Sequence, residues 1–371
     1  MAYVLVIFIF LRPFVSSLAA PCLNSLYSFL LLAFLGLLIA LKGANREKIA
    51  IIRIPISLFG IALFASLIIS PAKISGLSEG VNFLTYICLF IAVSSLPPDN
   101  RRRVMNCIIF SGFLISILAI YQYFFGFEHL LRHISRLEAQ NSFILDCIIR
   151  KRAFSPFVTP NILAGYLSMI IMISLISRRH RYWVFPPACL ALIFTQSLGA
   201  MISLFIAIMV YFYLKNKSKK ARLGILLSLL VMIAAVFFTR IINQRQHFQP
   251  LFSLSMRFNY WAETIKIIKE FPLTGIGLGN FNLIQSRFAH NAYLQLWAET
   301  GILGLISFLW IVAAVIKNGW ASNEERLPDR GKLYLATACL VFLLDNFFSF
   351  SFFLPEVALI WWLILGLFYS R

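Results

Sequence analysis

His290 opens the stretch HNAYLQLWAETG, residues 290–301, and heads a long apolar run with an unusual set of polar side chains. Imidazole titrates closer to neutrality than any other side chain, so this position could take a proton from a reacting hydroxyl or hydrogen-bond an anion. A hydrogen-bonded histidine at a helix interface is the plainer reading of the same residue. If a helix begins at His290, then Trp297, Gly301 and Gly304 follow on its face, and Asn291, Gln295 and Glu299 form a second, polar stripe. Polar groups are costly in hydrocarbon, so that stripe should face protein or a water-filled cavity. The glycines suit close helix packing.

Upstream, FPLTGIGLGNFNLIQSRFAHN carries Gly275, Gly277 and Gly279 at alternate positions. The spacing is not that of a dinucleotide fingerprint, and no strand–helix context surrounds it. A tight turn re-entering a helix bundle is the main expectation; a glycine backbone approaching phosphate oxygens is the second. The run Arg150, Lys151, Arg152 precedes AFSPFVTPN. Three adjacent cations repel one another unless they share an anion, whereas cations taken singly can snorkel to lipid phosphates.

The elements that must position these residues are membrane helices. Of 371 residues 60% are hydrophobic and 13% charged, and the mean hydropathy is +0.85. Apolar runs of bilayer-crossing length separated by short charged or Pro/Gly breaks favour an all-α polytopic bundle over a barrel. Twelve spans are predicted, near 2–19, 25–41, 49–69, 81–96, 104–125, 160–177, 183–196, 198–214, 223–239, 291–316, 332–349 and 355–370. The first twenty residues lack a basic n-region and read as the first of them. The six cysteines are scattered, without metal-ligand spacing, and suit packing. The net charge of +19 sits on no soluble basic surface, so nucleic acid is not expected and membrane lipids are.

The short breaks KGANREK, PPDNRRR, SRRHR and KNKSKKAR and the segment 317–332 put most Lys and Arg on one side, which predicts cytoplasmic termini. Two long connections, 126–160 and 240–289, then lie outside. The predicted organisation is therefore N-terminal helices at 1–125, a first external loop at 126–159 and central helices at 160–239. An external catalytic loop at 240–290 and C-terminal helices at 291–371 complete it. Within the second loop, SMRFNYWAETIKIIKEF should form an amphipathic interfacial helix. Ser255 would be its cap, and Phe258, Trp261, Ile265 and Ile268 would face lipid.

The ordered set Arg257, Trp261, Pro272, Gly275-Ile276-Gly277, His290-Asn291 and Gly301-Ile302-Leu303-Gly304 resembles the O-antigen ligase and polymerase superfamily of membrane glycosyltransferases. Looser similarity runs through RAFSPFVTPNILAGYL and TQSLGAMISL, so the ligase-like core spans 150–316. The resemblance implies Arg257 and His290 as catalytic residues. Beside these, Arg152 and Arg150 are substrate-binding candidates able to supply a second phosphate contact, Asn291 would orient the helix or hydroxyls, and Gly275 and Gly277 keep the second expectation above, a backbone approach to phosphate. The chain departs from the family where Leu198 stands in place of a second arginine and Leu305 in place of a threonine.

The implied reaction moves a glycan from polyprenyl (undecaprenyl) diphosphate to an acceptor hydroxyl at the periplasmic face of the bacterial inner membrane. The expected acceptor is lipid A-core, or another glycan or a protein. The acids Glu128, Glu138, Asp146, Glu263 and Glu270 are dispersed, so neither a metal nor a cofactor is expected. A polysaccharide polymerase or a protein O-oligosaccharyltransferase is the near alternative. A secondary transporter or a non-catalytic scaffold is the distant one.

Overall fold

The computed structural model describes residues 2–43, 46–134, 147–216, 218–220, 222–224, 227, 252–284, 286–321 and 330–370. Its helices are α1 (Ala2–Leu11), α2 (Pro21–Lys42), α3 (Arg46–Ile69), α4 (Lys73–Ser94), α5 (Pro98–Tyr121), α6 (Phe127–Ile134) and α7 (Pro160–Ser174). They continue as α8 (Arg178–Trp183), α9 (Phe185–Thr195), α10 (Leu198–Lys215), α11 (Phe252–Glu270), α12 (Ala292–Ala321), α13 (Arg330–Asp345) and α14 (Pro355–Ser370). Among the described residues there is no strand.

Among the described residues six segments are long and apolar enough to cross a membrane. They are Pro21–Leu41, Ile49–Ile69, Lys73–Ser94, Pro98–Leu131, Leu198–Lys215 and Ala292–Trp320. The apolar helices α1, α7, α9 and α14 are shorter. Against the twelve spans expected, the ninth, near 223–239, falls almost wholly outside the described residues. The fifth is longer than expected: α5 continues through a π-helical turn, Gln122–Gly126, directly into α6, so helix occupies the start of the predicted first loop.

Every residue of α14 is buried, including Trp361 and Trp362, so this helix is the axis of the bundle. A helix apolar all round has no solvent face to present and belongs inside. The helices α4 and α13 pack against it, α3 packs on α12, and α7 packs between α9 and α13. Phe29, Ile61, Phe64 and Leu309 point outward from the bundle, as lipid-facing side chains do.

α12 is not one straight helix. Gly301 inside it has φ 68° and ψ 179°, which only glycine adopts without strain. The break frees backbone groups that hydrocarbon cannot satisfy, and the glycine-rich segment supplies their partners, two donors and one acceptor. Ile276 N–H donates to Ala298 O at 2.8 Å, Gly277 N–H to Glu299 O at 3.1 Å, and Ile302 N–H to Pro272 O at 3.1 Å. Ser66 Oγ donates to Glu299 O as well, at 2.7 Å, tying α3 to the same break.

Candidate active site

The helix α12 begins at Ala292, two residues later than a start at His290 requires. Asn291 is its N-cap: its Oδ1 accepts from Tyr293 N at 3.0 Å and Leu294 N at 3.1 Å, satisfying two of the amides a helix start leaves open. His290 sits just before it at φ 53°, a left-handed conformation uncommon for a residue with a side chain. The predicted face of His290, Trp297, Gly301 and Gly304 is therefore not a continuous helical face. It is interrupted at both ends, by the turn at His290 and by the break at Gly301. The polar stripe behaves as anticipated: Gln295 and Glu299 line a cavity of about 330 Å³.

Two elements hold the imidazole. The Tyr260 ring, on α11, stacks against it at 5.4 Å and 22°. Phe350, between α13 and α14, meets it edge-on at 4.9 Å, and Phe288 in turn stacks on Phe350 at 4.1 Å. Arg257 lies one turn before Trp261 on α11, and its charge reaches His290 and also Asp345, the buried last residue of α13. Burial first, then the like charge of Arg257, push the histidine down to about 4, so it is neutral across physiological pH.

In α11 the helix starts at Phe252, which puts Ser255 inside its first turns and not at the cap. The face is divided as well. Phe258 and Ile265 are exposed, but Ile268 is buried against Phe281, Leu283, Ala289 and Ala298. The helix packs on protein along the side that carries Tyr260 and Ile267 because those residues continue the row that Ile268 begins.

Gly275 and Gly277 do not take up the phosphate-approaching role that was the second expectation for them. Their φ values are 69° and 97°, and a Cβ would fall 2.5 Å from the Glu299 carbonyl carbon at Gly275 and 2.3 Å from Ser70 Cα at Gly277. Their backbone N–H groups donate to Phe271 O and Glu299 O. Amides already used within the protein cannot cradle a phosphate, so both glycines are there to let the segment re-enter the bundle at the α12 break.

Arg152 is half-buried and oriented by its neighbours. Its Nε donates to Thr195 O at 3.0 Å and an Nη to Asn161 Oδ1 at 3.1 Å. The segment carrying it is held back against α5 by Gln122, whose Oε1 accepts from Phe154 N and Ser155 N, both at 2.8 Å. Arg152 thus lies against the turn that precedes Leu198, while Arg150 is exposed and its carbonyl accepts from Gln196 Nε2 at 3.1 Å. A line of contacts leads from this turn to the histidine's helix partner: Gly199 abuts Phe348, whose ring is 6.1 Å from that of Trp261.

Sequence reasoning passed over Asp345 as a site residue. The available signal was a carboxylate within an apolar run, an expensive placement that marks function by default. Its Oδ2 has no hydrogen-bond partner. Among the described residues no group of three or more His, Cys, Asp or Glu is arranged to hold a metal ion.

Helices of membrane-crossing length, with a histidine just before one of them and an arginine on α11 near it, define a multi-pass membrane protein. A family model described as O-antigen ligase matches residues 183–309, about a third of the chain. Over those residues the chain is similar to that family, and the match supports the resemblance to the O-antigen ligase and polymerase superfamily. The matched segment includes Arg257, Gly275, Gly277, His290 and Asn291 and stops short of Arg150 and Arg152. No curated protein and no solved structure matches the chain.

Proposed function

We propose that the protein is a ligase-type glycosyltransferase that moves a glycan from polyprenyl diphosphate to an acceptor hydroxyl, with lipid A-core as the acceptor. The observation that carries this reading is the pairing of a neutral, aromatic-caged His290 with the charge of Arg257 inside the family-matched segment. The acceptor oxygen attacks the anomeric carbon, the bond from that carbon to the diphosphate oxygen breaks, and polyprenyl diphosphate leaves with the bonding electrons. The acceptor proton passes to His290.

Arg257 stabilises the negative charge that gathers on the leaving diphosphate, and its planar fork matches phosphate oxygens. The same residue sets the base. While the diphosphate is absent, Arg257 and burial keep His290 neutral and weakly basic. A bound anion offsets the arginine's charge and raises the histidine toward neutrality, so proton acceptance strengthens when donor is in place. Arg152, fixed by Thr195 and Asn161, is the second cation offered to the diphosphate, in the place where Leu198 departs from the family; Arg150 stands beside it. The reaction needs no divalent ion, because arginines supply the positive charge. The site faces the periplasm and the protein resides in the bacterial inner membrane, with both termini cytoplasmic.

Ligation is favoured over polymerisation by the presence of one well-built arginine–histidine centre. A polymerase must accommodate two polyprenyl-linked chains and two diphosphates. Expression in strains lacking either activity tests the choice: transfer to lipid A-core is expected. Restored lengthening on the polyprenyl carrier without transfer to a lipid or protein acceptor would reverse it.

A further inference from the structure

The cavity of about 330 Å³ lined by Gln295 and Glu299 does not contain Arg257 or Arg152 in its wall. It is built where three connections meet: the turn between α1 and α2, the start of α4, and the segment that leads into His290. Ser25 and Ser78 face each other there at 3.1 Å between hydroxyls, with Glu79 and Asn82 following on α4. Opposite them stands Glu299, whose two oxygens accept from Gln295 Nε2 and Gly279 N, both at 2.9 Å. Asn82 is only 2% exposed, and its Oδ1, in the cavity wall, has no hydrogen-bond partner in the protein. A buried acceptor of this kind costs on the order of 1–3 kcal/mol unless a ligand or water completes it.

The aromatic side of the cavity is Phe281, Phe288 and Phe353. Phe288 is shared: it lines the cavity and stacks on Phe350, which in turn touches His290. Gln295 is shared in the same way, since its Oε1 accepts from Ala289 N, next to the histidine, at 3.2 Å. One aromatic layer therefore separates the carboxylate-lined cavity from the imidazole.

The two sides of His290 differ in chemistry. Arg257 and Arg152 offer cations to a diphosphate, whereas the cavity offers hydroxyls, amides and the carboxyl groups of Glu79 and Glu299, with Arg287 beside them. Carboxylates and amide oxygens accept from the hydroxyls of a sugar, and apolar ring faces cover its C–H face. The volume lies at the small end of the range for ligand sites, about 300–1,000 Å³.

Resting on the glycosyl-transfer reading above, we propose that this cavity is the acceptor subsite and takes a hydroxyl-rich sugar unit, whose reacting hydroxyl is passed to His290 at the Phe288 edge. Glu79 and Asn82 on α4 and Glu299 on α12 hold its other hydroxyls. Arg287, also in the wall, interacts with both carboxyl groups.

Binding to the full-length protein in nanodiscs tests this, with two probes measured separately. One is a dephosphorylated core oligosaccharide from rough lipopolysaccharide; the other is polyprenyl diphosphate. Ser78→Trp, which fills the cavity, and Glu79→Gln, which keeps its shape, should each weaken oligosaccharide binding about tenfold, or 1.4 kcal/mol. Both variants should bind polyprenyl diphosphate as the wild type does. If Ser78→Trp fails to insert, Glu79→Gln alone decides. Unchanged oligosaccharide binding in Glu79→Gln, or a wild type that binds diphosphate but no oligosaccharide, would overturn the proposal and leave the transfer reading standing. A wild type that binds neither probe would remove both.

Discussion

The second loop ends in two stretches of similar sequence character and opposite physical use. Residues 272–279 are glycine-rich and look like a ligand loop, yet their amides are spent on Phe271, Ala298, Glu299 and Ser66, which closes the break in α12. His290, eleven residues past Gly279, makes no comparable backbone investment. It is held by ring contacts from Tyr260 and Phe350 and by the field of Arg257. The difference separates scaffold from chemistry within one motif: glycine supplies close approach, and side chains supply charge and proton transfer.

That separation can be broken most sharply by substituting on each side. Arg257→Ala and His290→Ala should each lower transfer by about a hundred- to ten-thousand-fold while the protein still inserts and keeps its thermal unfolding temperature. Arg257→Lys should recover little, since a lysine ammonium is a point charge without the planar fork. Steady-state transfer with insertion checked by detergent extraction reads both.

On the scaffold side, Gly301→Ala should destabilise by on the order of 3 kcal/mol or more, because a Cβ there falls 1.9 Å from Leu273 O and the backbone is left-handed. Gly277→Ala follows the same argument through Ser70. Lowered unfolding temperature and yield should accompany loss of activity; a stable, folded Gly301→Ala with selectively lost donor binding would return this segment to phosphate recognition.

A smaller effect sharpens the comparison through pH. With the free-enzyme histidine at about 4, kcat/KM for the donor should stay flat from pH 8 down to about 5 and fall only as the imidazole protonates. Stability moves with the same sign. The folded-state value lies below the unfolded one near 6.5, so the unfolded chain binds the proton first, and stability is lost as pH falls from about 6.5 toward 4. A kcat/KM profile breaking near 6.5 would show that Arg257 and burial do not act on His290 as described. The smallest expected effect is that of excess chelator, which should leave turnover unchanged; a reversible requirement for a divalent cation would contradict arginine-based charge stabilisation.

Hydropathy made the all-α membrane architecture legible, and the i, i+4 spacing of Gln295 and Glu299 announced the cavity they line, because both signals are local. The break at Gly301 was hidden by the same hydropathy, since an apolar run reads as continuous whether or not one glycine inside it turns left-handed. Ser255 had the residue type of a cap, but the helix had already begun at Phe252, where the chain has no polar cap to advertise it. The partners of the site were out of reach for a different reason. Asp345, Phe350 and Glu79 come to it from α13, the α13–α14 connection and α4, and pairings at that sequence distance leave no periodic trace.

Equilibrium binding of polyprenyl diphosphate to wild type, Arg257→Ala and His290→Ala in nanodiscs tests the central claim, that arginine holds the diphosphate and histidine moves the proton. The account predicts at least about tenfold weaker binding for Arg257→Ala and near wild-type binding for His290→Ala, which is nevertheless inactive in transfer. Wild-type binding by Arg257→Ala, or transfer at the wild-type rate by His290→Ala, would contradict it.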